Sequence, residues 1–279
     1  MNNISNPFLN EFHDEFQVIE KCCKDLRIDF YVIGAIAKQI WFFREKISTS
    51  RTKDIDFAVF ITNEEQFSEL KTRLIEHYQF RDSKDNPFVL HSPNNKQIDI
   101  LPFGQLEVED GVIVPGKGLS KIKVNGLKEV YLESVVEVKI FEQNTLKIAT
   151  LAGIFLLKLI AFDDRPEFRG KDLDDCVEII LHYFELEIEL IYESHYDLFG
   201  YYYPDQNKLL GARVLGREIS KPIAKNDDLT KRITEILQMH IDLGVKSEFI
   251  SKMTQSGKLD VKTCKNCLIE ILNGIHDKS

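Results

Sequence analysis

The sequence is poor in the residues on which several function classes depend. Its five cysteines are an odd number without framework spacing, which excludes a disulfide-stapled scaffold and agrees with a reducing compartment. No apolar run reaches the roughly 18 residues needed to cross a bilayer, so no membrane partner is expected. The opening MNNISNPFLNEFHDEF has neither a basic stretch nor an apolar one, so a signal peptide is not expected and a cytoplasmic location is. Positive charge is scarce. Lys and Arg number 36 against 45 Asp and Glu, a formal net charge of -9, which argues against a general nucleic-acid coat. One local basic groove, or a small anionic substrate carried with its own metal, stays open.

Other signatures are missing too. The seven histidines show no His-Glu-x-x-His and no other metal spacing, and there is no Gly-x-Ser-x-Gly. GKGLSK (116–121) lacks the spacing of a phosphate loop and reads as a hairpin turn. Cys264 and Cys267 form a Cys-x-x-Cys with no second pair beside it. Among Leu268, Ile269, Ile271 and Leu272 they read as core thiols on a helix. The aromatic run Phe199, Tyr201, Tyr202 and Tyr203 reads as packing.

What remains is a soluble-protein composition, 43% hydrophobic and 29% charged over 279 residues, long enough for one large domain or two smaller ones. EFHDEFQVIEKCCKDL (11–26) has helical spacing, FYVIGA (30–35) reads as a buried strand ending at Gly34, and IAKQIWFFREKI (36–47) as the helix begun after that glycine. Asp54 to Ile61 is the next strand, and Asn63 is placed to cap a helix over 64–77. KQIDILPFG (96–104) is a further strand, broken by Pro102. GVIVP (111–115), KIKV (121–124), VVEVKIF (135–141) and TLKIAT (145–150) follow, punctuated by glycines. From about residue 151 helical periodicity takes over, Gly244 is placed as a helix stop, and residues 194–228 show little periodicity. The expected organisation is an α+β domain over 1–150 and a helical domain over 151–279.

The strand RTKDIDFAVF (51–60) holds the main chemical signal. Residues i and i+2 of a strand share a face about 6–7 Å apart, so Asp54 and Asp56 project together while Ile55, Phe57 and Val59 enter the core. Two converging carboxylates repel unless a cation offsets them, and Mg²⁺ prefers oxygen ligands of this kind. Asp99, in QIDIL, repeats the local pattern of an acid flanked by isoleucines. If its strand neighbours the first, three carboxylates meet, as a site for phosphoryl transfer needs. Gly34 opens a helix whose first amides suit an anion.

VIGAIAKQIWFF, RTKDIDFAVFI and QIDILPF together resemble the nucleotidyltransferases with a polymerase β-like fold. The Arg-x-x-Asp-Ile-Asp-Phe form, with FLLKLIAFDDRPEFRGKDLDDCVEII (155–180), is more narrowly similar to the AbiEii-type toxins of type IV toxin–antitoxin systems. The resemblance covers residues 28–182 in patches. It implies a mixed sheet flanked by helices and followed by a helical domain, and an enzyme that moves an NMP from an NTP to an acceptor. Asp54 and Asp56 would bind Mg²⁺, and Asp99 would complete the metal site or act as base on the acceptor hydroxyl. Gly34 and Ala35 would hold the triphosphate, Lys158 would neutralise phosphate charge and Asp172 would orient it or contribute to the site; Arg51 and Lys53 are candidate cofactor-binding residues, and an entry for tRNA would need Arg44, Lys46, Arg51 and Lys53 to line it. Ala35 stands where the superfamily prefers Gly or Ser and offers an amide without a hydroxyl. The resemblance implies tRNA or protein as acceptor and an antitoxin as partner. A small aminoglycoside-like acceptor and a non-catalytic nucleotide-binding module are the other readings. An ammonium within FLLKLIAF is out of place unless it is paired or snorkels to a helix edge.

Overall fold

Short β-branched and aromatic runs bounded by glycine or polar turns become strands, and the amphipathic segments between them become helices. The computed structural model describes residues 7–50, 52–105, 111–113, 121–140, 145–202, 206–257 and 259–277. The described chain forms two units: one within Met1–Tyr131 and Val135–Thr150, the other within Leu132–Ser134 and Leu151–Ser279.

In the first unit α1 (Pro7–Asn10) and α2 (His13–Asp25) lead into β1 (Asp29–Ile33), α3 (Gly34–Arg44) and β2 (Asp54–Ile61). There follow α4 (Glu64–Tyr78), β3 (Arg81–Asp82), β4 (Val89–His91), β5 (Gln97–Gly104), β6 (Gly111–Ile113), β7 (Lys121–Lys123), α5 (Leu127–Glu133), β8 (Val135–Lys139) and β9 (Thr145–Ala149). Seven strands make one mixed sheet in the order β3-β4-β5-β2-β1-β9-β8, and β6 pairs with β7 separately. Most of GKGLSK lies outside the described residues. Asn63 caps α4, its side-chain oxygen accepting from the Gln66 amide at 2.9 Å.

Alternation fixes the two faces of the sheet. Ile55, Phe57, Val59 and Ile61 are fully buried, and Phe57 meets the rings of Phe16 and Phe30 edge-on at 5.6 and 5.8 Å. The other face carries Asp54, Asp56, Ala58 and Phe60. Near its far end Tyr131 stacks on Phe60 at 6.0 Å, and the Tyr31 hydroxyl donates to the Leu127 carbonyl at 2.7 Å.

Pro102 does not break β5, contrary to the sequence expectation. The Ile100 amide donates toward β4, to the Phe88 carbonyl at 2.7 Å, and residue 102 lies on that same side. β4 pairs with β5 only through Asp99, so the missing N–H of Pro102 falls where the ladder has already ended, while β2 pairs with β5 through Gly104.

The second unit is helical: α6 (Leu151–Asp164), α7 (Gly170–Leu186), α8 (Ile188–Ser194), α9 (Asn207–Ile223), α10 (Asp227–Leu243), α11 (Glu248–Gly257) and α12 (Val261–Ile275). Cys264 and Cys267 are wholly buried thiols. Of the aromatic run, Tyr202 donates to Glu270 at 2.6 Å, Phe199 packs 4.7 Å from Tyr192 and Tyr201 is exposed. Tyr203 lies outside the described residues. The weakly periodic region 194–228 contains α9, a full-length helix.

Helices α9 and α12 cross at two glycines. A Cβ on Gly216 would overlap the Ile271 carbonyl oxygen and lie 2.9 Å from the Gly274 Cα, and one on Gly274 would overlap the Arg213 carbonyl oxygen. Beside the crossing, Asp277 accepts from Arg213 Nη2 at 2.6 Å and from Arg217 Nε at 2.5 Å. Backbone atoms cannot swing aside, so Gly274→Ala is expected to destabilise the chain by roughly 3 kcal/mol. Gly170→Ala is the control: nothing lies within 4 Å of its Cβ position, so it should be neutral or slightly stabilising. Urea denaturation of the two variants measures the contrast.

Candidate active site

The carboxylates are placed by strand register. β2 and β5 run parallel with Asp54 beside Gln97 and Asp56 beside Asp99, so all four side chains leave the sheet on one face. Paired strands lie about 4.8 Å apart, so Asp56 and Asp99 start as immediate neighbours, with Asp54 one pleat away. All three acids are half-buried. β1 brings Ile33 opposite Asp56, and the chain turns there into α3. Gly34 makes the turn at φ +69°, a conformation that costs little only for glycine. Its missing side chain is also a space requirement. A Cβ at Gly34 would overlap Asp56 Oδ2 and lie 2.8 Å from its Cγ. The first turn of α3 therefore sits directly against the Asp56 carboxylate, and no side chain caps it.

Gln97 joins this group. Its side-chain amide donates to Asp99 Oδ1 at 2.9 Å. It is not recognisable from sequence, because a lone glutamine on a strand has no charge to explain. Only the register shows that it shares a face with three acids.

The remaining expected residues fall in three places. Ala35 lies in the first turn of α3 and Lys53 is exposed just before β2. Arg51 lies outside the described residues. Lys158 and Asp172 belong to the second unit, where Lys158 does not snorkel. It is 8% exposed, and its ammonium donates to Asp172 Oδ1 at 2.8 Å and pairs with Asp175 Oδ2 at 2.6 Å. Burial by itself lowers a lysine pKa, but the facing carboxylates of Asp175 and Asp172 outweigh it and hold this one above the ordinary lysine range. Asp175, one of several acids in DLDDC, is as much a partner as Asp172. Asp174 instead pairs with Lys252.

The donor set fits a hard divalent cation. It consists of carboxylate oxygens on one face, half-buried, beside a helix start whose glycine lets the Asp56 carboxylate approach it closely. Among the described residues no three Asp, Glu, His or Cys side chains are already drawn together at metal-ligand distance. The register supplies neighbours and not a closed cage.

A mixed sheet with aspartates on neighbouring strands beside a strand–glycine–helix turn is the arrangement of a nucleotidyl-transferring enzyme. The family described as nucleotidyl transferase AbiEii toxin, type IV TA system, matches residues 51–253, well over half of the chain, and the chain belongs to that family. The match starts after Gly34 and includes Asp54, Asp56, Asp99, Lys158 and Asp172. The α+β fold class and the nucleotidyltransferase activity expected from the sequence accord with this membership. No curated protein matches. Among solved structures, the solution structure of the antibiotic-resistance factor ANT(2'')-Ia is 13% identical over 66% of this chain and 92% of that one, with a TM-score of 0.38. A likeness at that score carries no argument. Among the described residues no helix is long and apolar enough to cross a membrane.

Proposed function

We propose that this nucleotidyltransferase is Mg²⁺-dependent and transfers an NMP from an NTP to a macromolecular acceptor, tRNA or protein, as a cytoplasmic toxin held in check by an antitoxin. One observation supports the chemistry above the others: Asp56 and Asp99 are register neighbours, and Asp56 abuts the glycine that opens α3. When bound, the metal supplies neutralisation of the charge on the triphosphate and on the departing pyrophosphate. Asp54, Asp56 and Asp99 would hold it. The amides of Gly34 and Ala35 are offered to phosphate oxygens, where a helix start favours anions. Lys53, exposed before β2, is offered to the approaching nucleotide.

The reaction forms a bond from an acceptor hydroxyl oxygen to the α-phosphorus and breaks the α–β bridging bond, releasing pyrophosphate. The hydroxyl proton passes to the Asp99 carboxylate. Lys158 is already matched by two carboxylates in its own unit. Its contribution to phosphate binding therefore rests on the family resemblance, and its structural role on the geometry.

Incubation with α-labelled NTPs and a panel of tRNA, protein and aminoglycoside acceptors tests this reading. Label is expected on one macromolecular class. Asp54→Ala and Asp56→Ala should each reduce transfer by more than about 100-fold, because even outer-shell partners of a metal cost 10–100-fold. Undiminished transfer in either variant would remove the carboxylates from the mechanism. Label on the aminoglycoside alone would replace the macromolecular acceptor with a small one.

A further inference from the structure

We infer that Gln97 is a positioning residue for this site, fixing the rotation of the Asp99 carboxylate and with it the affinity for a divalent ion. The inference rests on the reading of Asp54, Asp56 and Asp99 as metal ligands.

Gln97 lies on β5 between two partner strands, opposite Asp54 on β2 and opposite His91 on β4. It shares the face of the acids and stands two residues before Asp99, the spacing at which side chains on one strand face can bridge. An ionised carboxylate only accepts hydrogen bonds, so the group facing it must be the NH₂ of the amide. The 2.9 Å bond to Oδ1 is therefore charge-assisted, and it restrains rotation of the carboxylate about its Cβ–Cγ bond. One restrained oxygen determines where the other faces. Carboxylates that bind metals depend on such outer partners for orientation.

Gln97 is not explained as packing. It is half-buried, and its neighbours across the ladder are the polar side chains of Asp54 and His91. A glutamine at this point costs side-chain entropy and is not among the residues favoured in strands. Its donor, aimed at an acid of the site, is what repays that cost.

The test is Gln97→Met, which keeps the length of the side chain and removes the donor. Nucleotide-free protein is titrated with Mn²⁺ and free ion is counted by electron paramagnetic resonance. Thermal unfolding is measured in parallel. The dissociation constant should rise about 10-fold, the lower end of the range for outer-shell partners, with a melting temperature within about 2 °C of the parent. Mn²⁺ affinity equal to the parent's overturns the inference. So does an affinity loss that comes only with a large drop in melting temperature, which would assign Gln97 to the stability of the sheet. The parent and Asp56→Ala separate this from the underlying reading. If the parent binds Mn²⁺ no better than Asp56→Ala, the metal site itself falls and Gln97 with it. If the parent binds better and Gln97→Met matches the parent, only the positioning role falls.

Discussion

Replacing Gly34 with alanine is expected to reduce transfer by about 100-fold while leaving the protein folded. Two costs arise from one methyl group. The first is conformational: at φ +69° an L-residue pays roughly 1–2 kcal/mol that glycine does not. The second is steric and aimed at the site. The new Cβ would overlap Asp56 Oδ2 and sit 2.8 Å from Cγ, so either the carboxylate swings away or the start of α3 retreats. Both responses separate the acid from the amides that face it. A displacement near 1 Å in such a constellation costs about 100-fold in rate. Asp56 has little freedom to compromise, since it sits beside Asp99 on one side and Ile33 on the other. The rest of α3 is held independently, for example by Trp41 Nε1 donating to the Ala149 carbonyl at 2.9 Å. Stability should therefore fall only by roughly 1–3 kcal/mol. The control is Ala35→Gly, which alters the next residue without filling the space beside Asp56. It should retain near-parental transfer. Labelled-nucleotide transfer and thermal unfolding of both variants decide the matter, and a fully active Gly34→Ala would show that the approach of α3 to Asp56 is not used.

The parts of this site that could be read in advance are those written in local pattern. Asp54-Ile55-Asp56 alternates strictly, so strand periodicity alone placed both acids on one face and Ile55 and Phe57 in the core. Gly34 marked the turn because a strand ended on it. Partnership across strands is different, since it depends on register, and register is not local. Nothing near residue 97 announces that it will stand beside Asp54, so Gln97 had no signal to give. β3 and β4 have two and three residues, too few for a period to show. The helix α9 was hidden for a physical reason. Its buried face includes Gly211 and Gly216 where apolar side chains would reveal a helix, because α7 approaches the first at Phe184 and α12 the second at Ile271, both at backbone distance. Pro222 near its end weakened the pattern further. In DLDDC the spacing could not choose among three acids. Packing of α6 against α7 chose two of them, Asp172 and Asp175.

That choice leads to the largest expected effect on stability. Lys158→Met should destabilise the protein by roughly 3–5 kcal/mol, the penalty for stranding buried charge that has lost its partner. The carboxylates of Asp172 and Asp175 converge on one ammonium, and all three side chains are at most 14% exposed. Without the ammonium, two like charges share a site that water barely reaches. Arg169 touches only the outer oxygen of Asp172, at 3.4 Å, and is itself half exposed, so it does not replace the lysine. The pH dependence has a definite sign. The Lys158 pKa is raised in the folded state, so its contribution is complete below the unfolded lysine value and fades only in strongly alkaline solution. Across neutral pH the deficit of the variant should be constant. The triple variant Lys158→Met with Asp172→Asn and Asp175→Asn removes the charges together and should recover most of the loss, as replacement of whole buried ion groups does elsewhere. Urea denaturation followed by far-UV circular dichroism at pH 7 and pH 5 reads each of these differences. A Lys158→Met variant as stable as its parent but deficient in transfer would reverse the assignment, making the lysine a phosphate contact first and a structural cation second.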